Sequence, residues 1–404
     1  MENSLPFLTG VNYWPRRKAM SWWSDFDASE VDEEFAMIHS LGLDVVRIFL
    51  LWEDFQPQPD QVSSASLDHL GVVCDAAQKH GLKLDVTFFT GHMSGPNWSP
   101  RWLLGTPAVP NSRQVVSGGK VVQGSYRNPF SDPVALSAES GLLRAVVSAY
   151  KDHDAIWMWN LGNEPDLFAH PASARAGRQW VHDSVQTIKA LDPAHPVTCG
   201  LHTADVWEDT GLRVNDVFAE TDVAVMHAYP MYTPWARDPL DPDFVPFTCA
   251  LTQALGNKPV LMEEFGGCTT GPGEPSSVWE WEAWDGPRRQ FMASEEALAE
   301  YLEAVLPRLV RVGATGAMLW CFADYVPELW DRPPCDQQRH ERFFGLVRPD
   351  GSLKPHAEVL RNFAATKPRI QPPHPFKLGM TPDEFYKAPM DHVVGMYHSY
   401  LDSL

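Results

Sequence analysis

Two glutamates stand where apolar, strand-like segments of the sequence end. Glu164 lies in residues 159–165 (WNLGNEP), and Glu264 lies in residues 262–266 (MEEFG). A carboxylate at the end of an apolar strand is costly unless it is hydrogen-bonded or used in chemistry. Two such groups beside one substrate are the equipment for glycoside hydrolysis, in which one protonates the leaving oxygen and the other attacks the sugar carbon. The sequence therefore predicts a two-carboxylate active site.

The elements that must position these glutamates form a regular series. Short apolar segments, rich in β-branched and aromatic residues as in fully buried parallel strands, alternate with amphipathic helical patterns. The predicted strands are residues 7–13, 44–50, 82–89, 155–161, 197–201, 223–228, 259–262 and 317–322. Eight β-α units predict an α/β fold, a (β/α)8 TIM barrel. A doubly wound open sheet is the alternative, disfavoured because no glycine-rich phosphate loop follows any strand.

Two predicted loops are longer than a barrel unit requires. They span residues 90–132 after strand three and 266–292 after strand seven, and both leave the face where barrel active sites lie. The barrel is predicted to cover residues 1–366, followed by a C-terminal extension, residues 367–404, with a Pro-rich linker and short helices. One face of its last helix is expected to carry Val393, Tyr397, Tyr400, Leu401 and Leu404.

The composition of the chain favours some classes of binding partner and some cellular locations over others. The net charge of −20, from 52 acidic and 32 basic residues, disfavours nucleic acid and anionic membrane surfaces. Neither a secretory signal nor an apolar segment of membrane-span length is visible, which predicts a cytoplasmic protein. The six cysteines lack metal-site spacing and are expected to be reduced and buried. Sixteen tryptophans exceed what a core of this size needs, and their faces suit the flat apolar surfaces of a ligand.

With these motifs in place, residues 5–365 resemble the clan A glycoside hydrolases, particularly family 5. The resemblance implies that Glu164 is the acid/base and that Glu264, rather than Glu263, is the nucleophile. It implies no metal and no cofactor. The resemblance also implies counterparts of the family's substrate-binding positions. Arg47 corresponds to the arginine that keeps the nucleophile ionised, Asn163 to the residue that binds the sugar 2-hydroxyl, and Trp320 to the tryptophan that forms the sugar-stacking floor. The other counterparts are His92, His227 and Tyr229.

Residues 10–17 (GVNYWPRR) and 88–98 (FFTGHMSGPNW) resemble the bacterial subfamily 18 β-mannosidases of family 5. This resemblance implies a retaining exo-β-D-mannosidase that releases mannose from short β-1,4-linked manno-oligosaccharides or Man-β-1,4-GlcNAc. The long loops could close one end of a cleft to make the required pocket. An endo-β-mannanase or β-glucanase of the same family is the alternative. A non-catalytic sugar-binding barrel is a distant one, since both glutamates are present, and the oligomeric state stays open.

Structural interpretations of the same residues compete with these roles. Arg47 could pair with Glu53 or Asp54 at the barrel rim, and each candidate histidine could be a satisfied structural group. Glu263 is expected to point sideways into a structural ion pair. Beside an arginine the nucleophile Glu264 is expected to be ionised, whereas a poorly solvated Glu164 keeps its proton.

Overall fold

The strands of the protein belong to one large sheet and two small ones. The structure, a computed structural model, describes residues 5–105, 113–373 and 375–404. Within these residues the strands are β1 (Leu8–Asn12), β2 (Val45–Leu51), β3 (Lys83–Thr90), β4 (Asn97–Trp98), β5 (Val115–Ser117), β6 (Lys120–Val122), β7 (Ile156–Asn163), β8 (Val197–Gly200), β9 (Ala224–His227), β10 (Val260–Gly266), β11 (Ser277–Ala283), β12 (Gly286–Met292) and β13 (Gly316–Trp320).

The α-helices lie between the strands and after the last of them. In chain order they are α1 (Ala28–Ser40), α2 (Trp52–Phe55), α3 (Ser64–Lys79), α4 (Pro133–Tyr150), α5 (Pro165–Phe168), α6 (Ala174–Lys189), α7 (Ala204–Trp207), α8 (Val214–Glu220), α9 (Phe244–Gly256), α10 (Glu295–Arg311), α11 (Pro355–Ala365), α12 (Pro382–Phe385) and α13 (Pro389–Asp402).

The large sheet is a ring of eight parallel strands. Its order is β8-β7-β3-β2-β1-β13-β10-β9. The two end strands meet through a parallel bridge between His202 and His227, where the His227 amide donates to the Leu201 carbonyl at 2.9 Å. Each of the eight predicted segments overlaps one strand of this ring, although β10 continues to Gly266, past the predicted end at Met262. The predicted (β/α)8 barrel is therefore confirmed.

Several helices begin and end where the sequence indicates. The Asp27 carboxylate accepts from two amides at the start of α1, and the Asp132 carboxylate does the same before Pro133 at the start of α4. Such caps each stabilise a helix by about 1 kcal/mol. Gly42 and Gly81 follow α1 and α3 with φ of 74° and 70°, a conformation that suits glycine. These signals set the helix lengths that separate consecutive barrel strands.

Both long loops carry structure of their own. The loop after β3 contains β4, β5 and β6, and the predicted insertion also includes residues 106–112, which lie outside the described residues, as do 1–4 and 374. The loop after β10 folds into the antiparallel hairpin β11–β12. In this hairpin Trp281 is 7% exposed, whereas Trp284 is 45% exposed. The hairpin is thus anchored by one tryptophan and presents another at its surface.

The C-terminal segment packs on the outside of the barrel. A capping box of Thr381 and Glu384 begins α12. In α13 the Tyr397 ring lies 4.9 Å from that of Phe247 on α9. Three of the five residues assigned to the buried face are buried, Leu401 is partly buried, and Leu404 is 61% exposed. Leu404 was predicted to lie on this helix, but α13 ends at Asp402, so that prediction was wrong.

Buried apolar side chains form one continuous core, and all six cysteines are free and buried within it, as predicted. Among the described residues, no helix combines the length and the hydropathy that crossing a membrane requires.

Tyr386 gives a test of how the C-terminal segment is held. Its buried hydroxyl accepts from the Val214 amide at 2.9 Å and donates to the Asp205 carbonyl at 2.8 Å. Tyr386→Phe leaves a buried amide without its acceptor, so the free energy of unfolding should fall by about 1–3 kcal/mol in a denaturant titration. The exposed control His398→Ala should change it by less than about 0.5 kcal/mol. Equal effects of both changes would contradict this docking.

Candidate active site

Arg47 on β2 lies inside the mouth of the barrel and is fully buried. Its Nη1 donates to Glu264 Oε1 at 2.5 Å, and its Nη2 lies 3.4 Å from Glu263 Oε2. Asn163 Oδ1 accepts from Nη2 at 3.1 Å. A guanidinium stays charged in any protein environment and offers five N–H donors in a fixed plane. It therefore holds both glutamates of β10 and the end of β7 in one arrangement.

An irregularity in β10 allows consecutive glutamates to reach the same arginine. The register with β9 shifts between Met262 and Glu264, and the register with β13 shifts between Met262 and Phe265. Successive side chains of a regular strand point to opposite faces, but a bulge re-aims them. Glu263 consequently makes the expected ion pair inside the barrel instead of pointing sideways.

Glu164 occupies a special backbone position at the end of β7. Its φ is +46°, in the left-handed region that non-glycine residues seldom adopt. The Glu164 amide donates to the Gly200 carbonyl at 2.9 Å, and Pro165 begins α5 directly afterwards. These constraints turn the carboxylate away from the strand direction and toward the barrel mouth.

His227, at the end of β9, joins the carboxylates. Its Nδ1 lies 2.9 Å from Glu164 Oε1 and 3.5 Å from Glu264 Oε1, and its Nε2 lies 2.9 Å from Glu263 Oε2. One carboxylate oxygen of Glu164, one of Glu264 and a ring nitrogen of His227 all lie within 4.8 Å of one another. Tyr229 adds a hydrogen bond from its hydroxyl to Glu264 Oε2 at 3.0 Å. The two predicted catalytic carboxyls thus share one small polar site.

The charges in this site shift the protonation equilibria. Burial lowers the pKa of His227, but the three surrounding carboxylates outweigh it and raise that pKa to about 9. Burial favours a higher pKa for Glu164 as well, yet the charges of His202 and His227 hold it below its usual range. Burial raises the pKa of Glu264, against the opposing charges of His227 and Arg47. The pKa of Glu164 is therefore shifted down and that of Glu264 up, opposite to the expected directions, and His227 carries a proton at pH 7.

A cavity of about 770 Å³ opens above the carboxylates. Trp320, at the end of β13, lines it and is 6% exposed. Arg113 reaches it from the loop after β3, Trp284 from the β11–β12 hairpin, and Glu341 from the loop after β13. This volume lies within the range of pockets that enclose small ligands. The walls of the cavity therefore come largely from the segments inserted at the barrel mouth.

The structure brings the predicted site residues together. The cavity lining includes Glu164, Glu264, His92, Asn163, His227, Tyr229 and Trp320, while Arg47 lies beneath it. The alternative pairing of Arg47 at the barrel rim is wrong, because its ion pairs run to the two glutamates of β10. His92 Nδ1 lies 2.8 Å from Asn97 Oδ1, and burial lowers the pKa of this imidazole to about 4, so it is neutral at pH 7.

Four polar residues in or below the cavity were missed from the sequence: Asp166, His202, Glu263 as a partner of His227, and Glu341. His202 Nε2 lies 2.9 Å from Asp166 Oδ2, close to Glu164. A sequence signal existed for His202, which directly follows the fifth predicted strand, as catalytic residues of barrels do. Glu341 lies 21 residues after the end of β13, and nothing in its surroundings in the sequence marks it.

Among the residues that the structure describes, two groups of side chains have the donor types and the spacing of a metal site. They are Glu164 with His227 and Glu264, and Asp166 with His202 and Asp205. In both groups the histidine is hydrogen-bonded to a carboxylate of the same group. The pKa of His202 is raised to about 10 because the charges of Asp166 and Glu164 outweigh its burial. Both groups are thus held by charge-assisted hydrogen bonds among their own members.

Comparison with known proteins places this architecture. The β-galactosidase family model of glycoside hydrolase family 42 matches residues 21–210, a segment that includes Glu164 and ends before Glu264. The mannan endo-1,4-β-mannosidase A of Hypocrea jecorina is 28% identical over 278 residues, which cover 61% of this chain and 58% of that protein. The exo-β-1,4-mannosidase Op5Man5 from Opitutaceae bacterium strain TAV5 superposes with a TM-score of 0.74 at 26% identity, covering 91% of this chain and 62% of its own. The chain is thus similar to (β/α)8-barrel glycoside hydrolases.

The predicted resemblance to family 5, subfamily 18, is confirmed for the fold. A GH5_18 protein from Streptomyces cattleya, solved with GlcNAc, superposes on this chain with a TM-score of 0.78 at 21% identity, covering 98% of this chain and 91% of that one. At that identity the likeness concerns the fold. The chain spans less than two thirds of the length of the Hypocrea jecorina relative.

Glu263 gives a test of the electrostatics of this site. A histidine whose pKa rises from about 6.5 when unfolded to about 9 when folded stabilises the protein fully below pH 6.5 and loses that contribution as the pH rises through 9. Glu263→Gln removes one anionic partner, so the pKa of His227 should fall in a histidine NMR titration. Because Arg47 also loses a buried partner, the free energy of unfolding should drop by about 3–5 kcal/mol.

The exposed control Glu282→Gln, on the β11–β12 hairpin, should leave both quantities unchanged. An unshifted His227 titration in the Glu263 variant would contradict the assigned contact.

Proposed function

We propose that the protein is a retaining exo-β-D-mannosidase that releases mannose from short β-1,4-linked manno-oligosaccharides or Manβ1-4GlcNAc. The observation that carries this proposal is that Glu164 and Glu264 both lie beside one histidine nitrogen. Their carboxylate oxygens are 2.9 and 3.5 Å from His227 Nδ1, in a cavity lined by Trp320. The carboxylates supply the two functions of glycoside hydrolysis, and the indole supplies a flat surface for a sugar ring.

Glu264 is the proposed nucleophile. Its attack on the anomeric carbon forms a glycosyl ester, expels the leaving-group oxygen and removes the negative charge of this carboxylate. Arg47 and Tyr229 each donate to one of its oxygens, at 2.5 and 3.0 Å, which fixes the direction of the carboxylate. In the second half of the reaction, water attacks the anomeric carbon of this ester and releases Glu264 as a carboxylate. The carboxylate then accepts again from Arg47 and Tyr229.

Glu164 is the proposed acid/base, and His227 supplies its proton. The imidazolium Nδ1 lies 2.9 Å from Glu164 Oε1, so one transfer along this hydrogen bond makes Glu164 a carboxylic acid and His227 neutral. An uncharged sugar that excludes water from the cavity favours this transfer, because desolvation favours the neutral forms of both groups. Glu164 then protonates the leaving oxygen and, in the second step, takes a proton from water.

The separation of the carboxyls supports retention of configuration. A carboxylate oxygen of Glu164 and one of Glu264 lie within 4.8 Å of each other. Retaining enzymes have carboxyl groups about 5–5.5 Å apart, whereas inverting enzymes keep about 6.5–9.5 Å to admit a water molecule. The closer spacing favours a covalent glycosyl intermediate on Glu264.

The shape of the mouth and the relatives support the substrate and the exo mode. The β11–β12 hairpin and the loop after β13 wall the cavity, as a pocket for a chain end requires. One structural relative is an exo-β-1,4-mannosidase. Variants of GH5_18 proteins from Streptomyces cattleya and Bifidobacterium longum were solved with Manβ1-4GlcNAc. A cytoplasmic location stays a prediction.

An endo-acting β-mannanase is the second candidate, because sequence relatives such as that of Hypocrea jecorina are mannan endo-1,4-β-mannosidases. The two modes differ in their first products. Early release of mannose alone from mannotetraose supports the exo mode, and mixed oligosaccharides support the endo mode.

Replacement of Glu264 tests the proposed nucleophile. Glu264→Ala removes the attacking carboxylate, so kcat for p-nitrophenyl β-D-mannoside should fall by about 10⁴-fold or more, while circular dichroism shows a folded protein. The exposed control Glu282→Ala should retain full activity. Retained turnover in the Glu264 variant would refute the assignment, and faster turnover of another p-nitrophenyl glycoside would redirect the choice of sugar.

Replacement of Glu164 tests the proposed acid/base. With Glu164→Ala, substrates with good leaving groups should still form the glycosyl intermediate, since they need little protonation, and the intermediate should then accumulate. Added azide should restore turnover and give the β-mannosyl azide, identified by NMR. Absence of rescue argues against the acid/base role, and an α-azide argues against retention.

A further inference from the structure

A third buried glutamate lines the cavity without a part in the chemistry above. Glu341 lies on the 3-10 turn Arg339–Phe343, in the loop after β13, and its side chain is 11% exposed. It borders the same cavity as Glu164, Glu264 and Trp320. A carboxylate in such a position is costly unless a ligand or a partner compensates it.

The surroundings of Glu341 leave its carboxylate short of positive charge. Its contact with His340, at 3.4 Å from Nε2 to Oε1, involves a neutral imidazole, because burial lowers the pKa of His340 to about 3. Burial raises the pKa of Glu341 to about 7, against the opposing effect of Ser94, and the charges of Glu264 and Glu164 raise it further. Hydroxyl groups of an uncharged ligand are donors that would compensate this carboxylate.

The position of Glu341 relative to the catalytic pair indicates which part of a sugar it meets. In the proposed reaction the acid Glu164 stands on the side of the leaving group, where Arg113 interacts with it. Glu341 lies instead beside Ser94, Trp320 and Tyr232. A carboxylate beside the stacking floor faces the rim of the sugar ring that remains on the enzyme, where its hydroxyls project.

The β11–β12 hairpin holds this part of the loop in place. Trp281 Nε1 donates to the Gln337 carbonyl at 2.7 Å, and the Trp281 ring lies 5.6 Å from that of His340. The Trp284 amide donates to Gln337 Oε1 at 2.8 Å. The insertion after the seventh barrel strand therefore supports the segment that carries Glu341.

We propose that Glu341 binds the 4-hydroxyl of the terminal mannose and closes the cavity after a single sugar unit. This inference rests on the proposed function and names its specificity-determining residue. A β-1,4-linked chain continues through the oxygen at position 4, so a buried carboxylate on that hydroxyl accepts a free chain end and excludes a further sugar. The exo mode then follows from one contact as well as from the shape of the walls.

The first test compares p-nitrophenyl β-D-mannoside with its 4-deoxy analogue on the unmodified protein and on Glu341→Gln and Glu341→Ala. The unmodified protein should prefer the parent substrate by about 10- to 100-fold in kcat/KM, the effect of a hydrogen bond to a charged group. Both variants should lose this preference. Glu328→Gln, an exposed change in the same loop, should keep it.

The second test follows the products from mannotetraose. Glu341→Ala should release mannobiose as well as mannose, because the chain can then extend past the first sugar, and the Glu328→Gln control should release mannose alone. Equal rates of the unmodified protein on the parent and 4-deoxy substrates would overturn the inference even if neither variant folds. A protein active on β-mannosides but indifferent to the 4-hydroxyl overturns only this inference, whereas inactivity on every β-mannoside overturns the proposed function with it.

Discussion

The buried charge of Arg47 is the interaction on which the rest of the site depends. A guanidinium that is fully buried must be paired, and a pair broken by removal of one partner costs about 3–5 kcal/mol. Here the partners are two adjacent glutamates on β10, and only a local shift of register lets both reach the same cation. Glu263 is enclosed beneath the site, while Glu264 lies at the base of the cavity, available to a ligand.

His227 extends this arrangement from charge to proton. It contacts Glu263 on one ring nitrogen and Glu164 and Glu264 on the other. Because three carboxylates surround one imidazole, the pKa of His227 is raised, and its proton lies one hydrogen bond away from Glu164. In the proposed reaction, Glu263 would therefore act through His227 without touching the sugar.

The inserted segments determine what the common barrel accepts. The ends of the barrel strands supply the two carboxylates, the arginine and Trp320. The hairpin after β10 and the loop after β13 are fastened to each other through Trp281 and Gln337. Since loops at this face vary while the strands carry the chemistry, selectivity is expected to lie in them, and Glu341 is one of the charged groups that they bring into the cavity.

The sequence by itself determined the eight-stranded ring, because short apolar segments between capped helices have one efficient way to be buried. It also determined that Glu164 and Glu264 share one mouth, since parallel strands all end on the same side. Only the tertiary structure decided that Glu263 faces inward, because a bulge breaks the alternation on which sequence reasoning relies. The protonation order of the two glutamates and the approach of Glu341 were likewise beyond the sequence, since both depend on charges and contacts between segments that lie far apart along the chain.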